Sequence, residues 1–418
     1  MFRTPRDYRT FLTVLLTYTL DLVGFSIVFP VLAPLLLNTH LHFFSPETSE
    51  ATRTTVLGIL FSFFGIAQFL GAPVVGALAD HYGRYKLFLG TVGLSILGYA
   101  VMAVSVYSQS IGLLFVGRVI TGLCSGNVGL AQTTTADLTE PRHRSKAFGI
   151  LLGVGGLGFV AGPWVGGKLA NPEWLYGSGA FIFAAIAAIA NFLMLFFFFT
   201  ETWSAKEAHG SQGLWKTFRD LQQVFHLKTL RIILITTVLF SIGWAFFLIF
   251  SPTFLVQKFS LSSDKIGDFF AYMAIMWTFS SMFLNKELTS KFSLRSLILV
   301  SLIGITVGVS SFVFPGTLWP YWFIIPIALI FGALAWVNLG SMLSLEASAS
   351  MQGRAMGAGG AMWSIGQIVA PLLAGPLAGW NMHAPILFGS ILFIAAFFYF
   401  IFAYRQGQVP HPTKKCNL

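Results

Sequence analysis

Apolar runs long enough to cross a membrane follow one another along this chain, and no other feature limits its fold so strongly. A spanning helix needs about 20 predominantly apolar residues. On that rule, runs fall at residues 11–37, 53–79, 86–107, 110–138, 145–170 and 176–200. After a polar stretch, six more follow at 229–256, 265–288, 295–314, 318–346, 354–379 and 383–404. The expected fold is an all-α membrane protein of about twelve transmembrane helices in two six-helix halves, residues 1–200 and 229–418, joined by a linker at 201–228. With 56% hydrophobic and 10% charged residues, the chain is too apolar for a soluble globule. Arg3, Arg6 and Arg9 precede a first run longer than a signal-peptide core and without a small-residue cleavage site, so it reads as a retained helix.

Basic residues sit in alternate loops. One side collects the N-terminal arginines, Arg84 and Lys86, then Arg142, Arg144 and Lys146, then Lys206, Lys216, Arg219 and Lys228, then Lys286, Lys291 and Arg295, and finally Arg354, Arg405, Lys414 and Lys415. The other side holds little beyond Arg53, Lys168, Lys258 and Lys265. The positive-inside rule then places both termini in the cytoplasm. A net charge of +10 spread over short loops is not the continuous basic face of a nucleic-acid binder. Cys124 lies in an apolar run and Cys416 in the tail, so no disulfide framework is implied.

Within the linker, Leu214, Phe218, Leu221 and Phe225 recur at helical spacing among Lys216, Arg219 and Asp220. An amphipathic surface helix and a flexible linker both fit that pattern. The halves echo one another without gaps. Ala147-Phe148-Gly149 answers Ala355-Met356-Gly357, and Pro163 and Gly167 answer Pro371 and Gly375, all at one offset of 208 residues. A parallel six-plus-six duplication is the expected origin.

Ionisable side chains at mid-membrane cost about 2.5–3.5 kcal/mol on insertion scales and so mark functional positions. Asp21 lies halfway along the first run, where a carboxyl group in a low-dielectric setting can exchange a proton near neutral pH. The alternative is an ion-paired or neutral acid that only orients its helix. On the fourth run, Arg118, Gly122, Ser125, Gly129 and Gln132 recur at steps of four and three and would share one face. That face reads as a cavity wall, or else as packing around a buried Arg118–Asp21 pair. Gln68, Asn127, Trp244, Trp277, Trp336, Asn338, Trp363 and Gln367 are further cavity candidates. The fifth run gathers Gly158, Gly162, Gly166 and Gly167 around Pro163, a composition suited to close helix packing and a bend. No phosphate-cradling glycine loop, metal-ligand spacing or catalytic constellation is present; His40 and His42 read as loop residues.

Four motifs resemble those of the major facilitator superfamily. They are Gly76-Ala77-Leu78-Ala79-Asp80-His81-Tyr82-Gly83-Arg84-Tyr85-Lys86 between the second and third runs, Gly117-Arg118-Val119-Ile120-Thr121-Gly122 on the fourth, Gly158 to Gly167 on the fifth, and Leu20-Asp21-Leu22-Val23-Gly24 with Pro30 on the first. Within the superfamily the chain is similar to twelve-helix drug:proton antiporters such as bacterial tetracycline exporters. His81 and Tyr85 depart from residues commonly basic in the first motif, and its second-half echo, Leu288 to Ser293, carries Ser290 in place of the acid.

The resemblance implies a secondary transporter rather than an enzyme, working by alternating access and exporting a drug-like or amphipathic compound against protons, with Asp21 as proton carrier. It implies a cytoplasmic gate of Gly76, Asp80, Gly83, Arg84, Asp137 and Gly357. In that gate Asp80 rests against the eleventh helix near Gly357, Arg84 pairs with Asp137, and these contacts hold the outward-facing state. Proton-coupled import or exchange of a metabolite or siderophore-like anion, with Arg118 binding its carboxylate, and a non-transporting sensor or scaffold are the competing readings. The expected setting is a bacterial plasma (inner) membrane, with a small-molecule substrate, protons and lipids as partners, no nucleic acid, a monomeric state, and a proton gradient as energy source in place of a cofactor.

Overall fold

In the computed structural model the chain runs as successive helices that alternate in direction between two faces. It describes residues 4–38, 43–171, 177–202, 222–348 and 351–404, with Phe2 and Leu41. The spans are α1 (Pro5–Ser26, continuing as Phe29–Leu37), α2 (Glu50–Tyr82), α3 (Arg84–Tyr107), α4 (Ile111–Cys124, continuing as Asn127–Leu138), α5 (Arg144–Leu169) and α6 (Gly179–Phe198) in the first half. The second half holds α7 (Lys228–Phe259), α8 (Ser263–Phe279, continuing through Asn285–Lys291), α9 (Leu294–Ser311), α10 (Tyr321–Glu346), α11 (Gln352–Trp380) and α12 (Ala384–Ala403). Eleven of these described spans are long and apolar enough to cross a membrane. In the remaining one, α8, a π turn at Ser280–Leu284 joins a 17-residue helix to its short continuation. The linker residues Leu214, Phe218 and Leu221 lie outside the described residues.

Local chemistry sets the ends. Thr4 and Asp7 form a reciprocal capping box at the start of α1, and Ser49, Ser110 and Ser293 cap α2, α4 and α9. Pro30 has no N–H to offer the Ser26 carbonyl, and α1 breaks at Ile27-Val28 ahead of it. At Gly83 the backbone has φ 93°, a conformation that favours glycine and lets α2 turn directly into α3.

The face carrying the N terminus and the Gly83 turn is face A; the opposite one is face B. The halves meet tightly only toward face B. On α5 and α8, the Pro163 carbonyl lies where a Cβ on Gly267 would be, and a Cβ on Gly167 would come 3.0 Å from the Gly267 Cα. On α11 and α2 the duplicated residues do the same: the Pro371 carbonyl abuts Gly58, and a Cβ on Gly375 would meet the Thr54 carbonyl at 2.7 Å. Polar links across the same face join Lys168 to Asp268 at 2.9 Å and Gln257 to Glu50 at 2.9 Å. Toward face A the halves part, and a Cβ on Gly149, Gly153, Gly357 or Gly360 would have nothing within 4 Å.

Candidate functional site

Where the halves part, a chamber of about 260 Å³ opens at mid-depth. From the second half come Trp244, Trp277, Trp336 and Trp363, on four different helices, with Gln367. Their rings pair, Trp244 with Trp277 at 4.8 Å and Trp336 with Trp363 at 4.6 Å between centroids, and Phe240 lies 6.4 Å from both Trp244 and Trp336. From the first half, α1 contributes Tyr18, Leu22, Phe25 and Phe29, spaced to share one helical face, and α5 contributes Gly155, Gly156 and Phe159. Among the described residues, no charged side chain lines the chamber. Toward face B it is roofed by a stack that the sequence did not suggest, in which Phe29 lies between Phe61 at 5.9 Å and Phe270 at 5.8 Å with rings 11° apart in each pair. The two outer members come from opposite halves, so the stack closes the path across the seam. Toward face A, Trp363 also lines a vestibule of about 550 Å³ between α2, α4 and α11, with Gln68, Ser125, Gly76, Asp80, Arg84 and Gly357 around it.

Asp21 is on α1 at the edge of the chamber-lining face and is not itself one of the lining residues. Asn127 neighbours its carboxyl, whose Oδ2 is buried with no hydrogen-bond partner. Asn127 is itself held by the Thr91 hydroxyl at 2.5 Å. Arg118 is 3% exposed, with its guanidinium 4.2 Å above the Phe64 ring and its Nε unpaired. No ion pair joins it to Asp21 among the described residues. Arg118 lines a small void with Gln68 and Gln367 rather than the chamber, which separates it from a ligand in the Trp box.

Several expectations need correction. The stripe on α4 assumed one unbroken helix, but the chain turns at Ser125-Gly126, so residues on either side fall out of phase. Gly122 does not face a cavity, because a Cβ there would meet the Phe64 carbonyl and Ala67 at 2.7 Å. Gln132 neighbours Tyr18 and does not line the chamber. Asn338 is fully buried between α10 and α8, donating to Asn285 at 2.9 Å, and is no part of the chamber. In this conformation, open on face A, Asp80 pairs with Arg84 at 2.8 Å and Gly357 stands across the vestibule, so the contact expected of the outward-facing state is not made. The expected gate contact is absent because the halves are apart on this face.

Arg84 also lies 3.4 Å from Asp137. Glu201, at the start of the 201–228 linker, accepts from the Arg84 and Tyr85 amides at 3.1 Å each and so caps the start of α3. Gly158, Gly162 and Gly166 pack α5 onto α1, their missing side chains replaced by the Thr19, Val23 and Ile27 carbonyls, while Gly167 faces α8.

Two six-helix halves, sealed on one face and parted on the other around a central chamber, define a membrane transporter of the alternating-access kind and not an enzyme. The Major Facilitator Superfamily profile matches residues 14–350, and the chain belongs to that superfamily. It is similar to the class C tetracycline resistance protein of Escherichia coli, 28% identical over 92% of this chain and 94% of that one. To the class H protein of Pasteurella multocida it is 27% identical over 87% of this chain and 88% of that one. Among solved structures it resembles the human organic anion transporter MFSD10 (TETRAN), with a TM-score of 0.69 and 22% identity over 95% of this chain and 100% of that one. The D-xylose-proton symporter gives a TM-score of 0.74 at 14% identity over 94% and 97%, a likeness of fold.

Proposed function

We propose that this protein exports a small drug-like or amphipathic organic compound in exchange for protons across a bacterial inner membrane. Face A, with the basic loops and both termini, is then cytoplasmic, and the conformation described is open to the inside. The observation that carries the reading is the arrangement around α1: one face of the helix lines an aromatic, uncharged chamber, and Asp21, at the edge of that face, holds a carboxyl oxygen buried without a partner. A chamber of about 260 Å³ is slightly below the ~300–1,000 Å³ common for ligand pockets and suits a compact, largely apolar molecule. Similarity to tetracycline resistance proteins supports export of a compound of that general kind. Lipids surround a monomer, the proton gradient supplies the energy without a cofactor, and nucleic acid has no part.

The test uses purified protein in liposomes with an entrapped pH dye, adding tetracycline and a panel of antibiotics, siderophores and carboxylates, for wild type and Asp21→Asn. Compound-dependent proton movement that is lost in the variant is the expected result. Compound movement with unaltered proton coupling in Asp21→Asn would remove the acid from the mechanism.

A further inference from the structure

We propose that the protein carries a second ligand site, at the sealed face B, which is built from both halves and takes an organic carboxylate with a hydrogen-bond donor on its body. A cavity of about 650 Å³ lies there, and none of its lining residues belongs to the chamber. The first half supplies the outer segment of α1, with Val31, Leu35 and Leu37, and the start of α2, with Glu50 and Arg53. The second half supplies the end of α7, with Val256 and Gln257, and Ser260 to Ser263 leading into α8. The volume falls within the ~300–1,000 Å³ common for ligand pockets.

Arg53 is the reason to expect an anion. It lines the cavity yet is only 3% exposed, and a cation buried to that degree is ordinarily paired with an acid. No carboxylate lies within ion-pair distance of it among the described residues. Glu50, one turn away on the same helix, instead accepts from Gln257 Nε2 at 2.9 Å across the seam. The guanidinium is held by three backbone carbonyls, Leu36 at 3.4 Å and Ser45 and Thr48 at 3.3 Å, and lies 5.1 Å from the Phe44 ring centroid. Those contacts fix its position without neutralising it. Clamping a loop needs donors but no charge, and a guanidinium has five N–H groups, so two remain for a ligand. A carboxylate is the acceptor that matches them and supplies the missing counter-charge.

Gln257 sets the other end of the ligand. Its Nε2 is spent on Glu50 and on the Ala378 carbonyl at 3.3 Å, while its Oε1 is buried with no partner. An acceptor buried without a donor is costly, so a ligand hydroxyl or ammonium is favoured there. The apolar walls from Val31, Leu35, Leu37 and Val256 suit a ring or short chain joining the two polar ends. Arg53 belongs to α2 and Gln257 to α7, so a ligand that touches both spans the seam. Parting the halves on face B would separate its two anchors, and a bound carboxylate therefore favours the sealed conformation.

Titration calorimetry on the full chain in lipid nanodiscs tests the site with 4-hydroxyphenylacetate, which has a carboxylate, a ring and a hydroxyl donor. The neutral 4-hydroxyphenylacetamide should bind about ten- to a hundredfold more weakly, as should the acid to Arg53→Gln, the loss expected for a hydrogen bond to a charged group. Because Arg53→Gln also gives up carbonyl contacts, Leu37→Trp is the second variant: it fills the same cavity with Arg53 in place and should give a similar loss. Gln257→Leu should weaken 4-hydroxyphenylacetate by about two- to tenfold but leave phenylacetate, which lacks the donor, unchanged. Trp336→Ala, in the chamber, should alter none of these affinities. No binding by the wild type, equal binding of acid and amide, or full affinity in Leu37→Trp overturns the site. A loss in Trp336→Ala would put the ligand in the chamber and overturn it as well. Undiminished affinity of 4-hydroxyphenylacetate in Gln257→Leu overturns the span across the seam. None of these outcomes depends on the direction of transport or on Asp21, so the site and the export reading stand or fall separately.

Discussion

Lys168 Nζ lies 2.9 Å from Asp268 Oδ2, and this ion pair ties α5 of the first half to α8 of the second at the sealed face. Both side chains are about two-fifths exposed, which limits the pair to about 0–1 kcal/mol. Lys168→Gln should therefore shift the balance between conformations by at most about fivefold toward opening of face B. Reactivity of a single cysteine placed at Ser262 in that face reads the shift. Exchanging the charges, Lys168→Asp with Asp268→Lys, should restore the parent value; failure to restore it would mean that the pair is incidental.

The glycine seams should matter more. In this conformation a Cβ on Gly267 would sit 2.6 Å from the Pro163 carbonyl, and crowding of that kind costs about 1–3 kcal/mol. Gly267→Ala should open face B by roughly five- to a hundredfold in labelling of the same cysteine. Gly357→Leu tests the opposite face. It meets nothing within 4 Å here, so it should leave the conformation described intact, yet it should block turnover if α11 must close onto the Asp80 turn. Normal turnover in Gly357→Leu would show that this face closes elsewhere.

The Trp box makes a prediction about affinity. Ring pairs of this kind contribute about 0.5–1.5 kcal/mol beyond area burial. Trp336→Ala removes one ring from the Trp336–Trp363 pair and should weaken compound binding by about two- to tenfold while leaving the sealed face unaltered. Titration calorimetry with whichever compound moves protons would measure the loss, and cysteine reactivity at face B would provide the control.

At face A, the hydrogen bond and charge of Arg142 hold the partly exposed Glu140 carboxyl below the usual glutamate range. A lowered acid contributes its hold on Arg142 above the ordinary range and loses it as pH falls through the lowered value. The contact is thus complete at neutral pH and released only in acid. Arg142→Ala should raise the Glu140 titration midpoint, followed by NMR of an isotope-labelled carboxyl. A midpoint that does not move would assign the shift to another neighbour.

Hydropathy alone located the spans, because length and apolarity are what a bilayer demands; the observed ends differ where capping side chains and Gly83 decide them. Trp244, Trp277, Trp336, Trp363 and Gln367 were legible as rare large or polar groups in apolar runs, and all line the chamber. Other features were not legible. The phase break in α4 has no proline to announce it, so Gly122 and Gln132 were assigned to one face that does not exist. The Phe61–Phe29–Phe270 stack was hidden among 44 phenylalanines, since one sequence cannot say which rings meet across a seam. Glu201 was missed because its partners are backbone amides, which leave no mark on residue identity.

The duplicated carbonyl-on-glycine contacts, Pro163 on Gly267 and Pro371 on Gly58, have no matching duplication of the acids. Asp21 and Asp80 exist once each, and Ser290 stands where a second Asp80 would be. Two fulcrums let the halves rock evenly, whereas a single set of acids leaves one point at which the rocking can be timed: the moving parts are symmetric and the controls are singular.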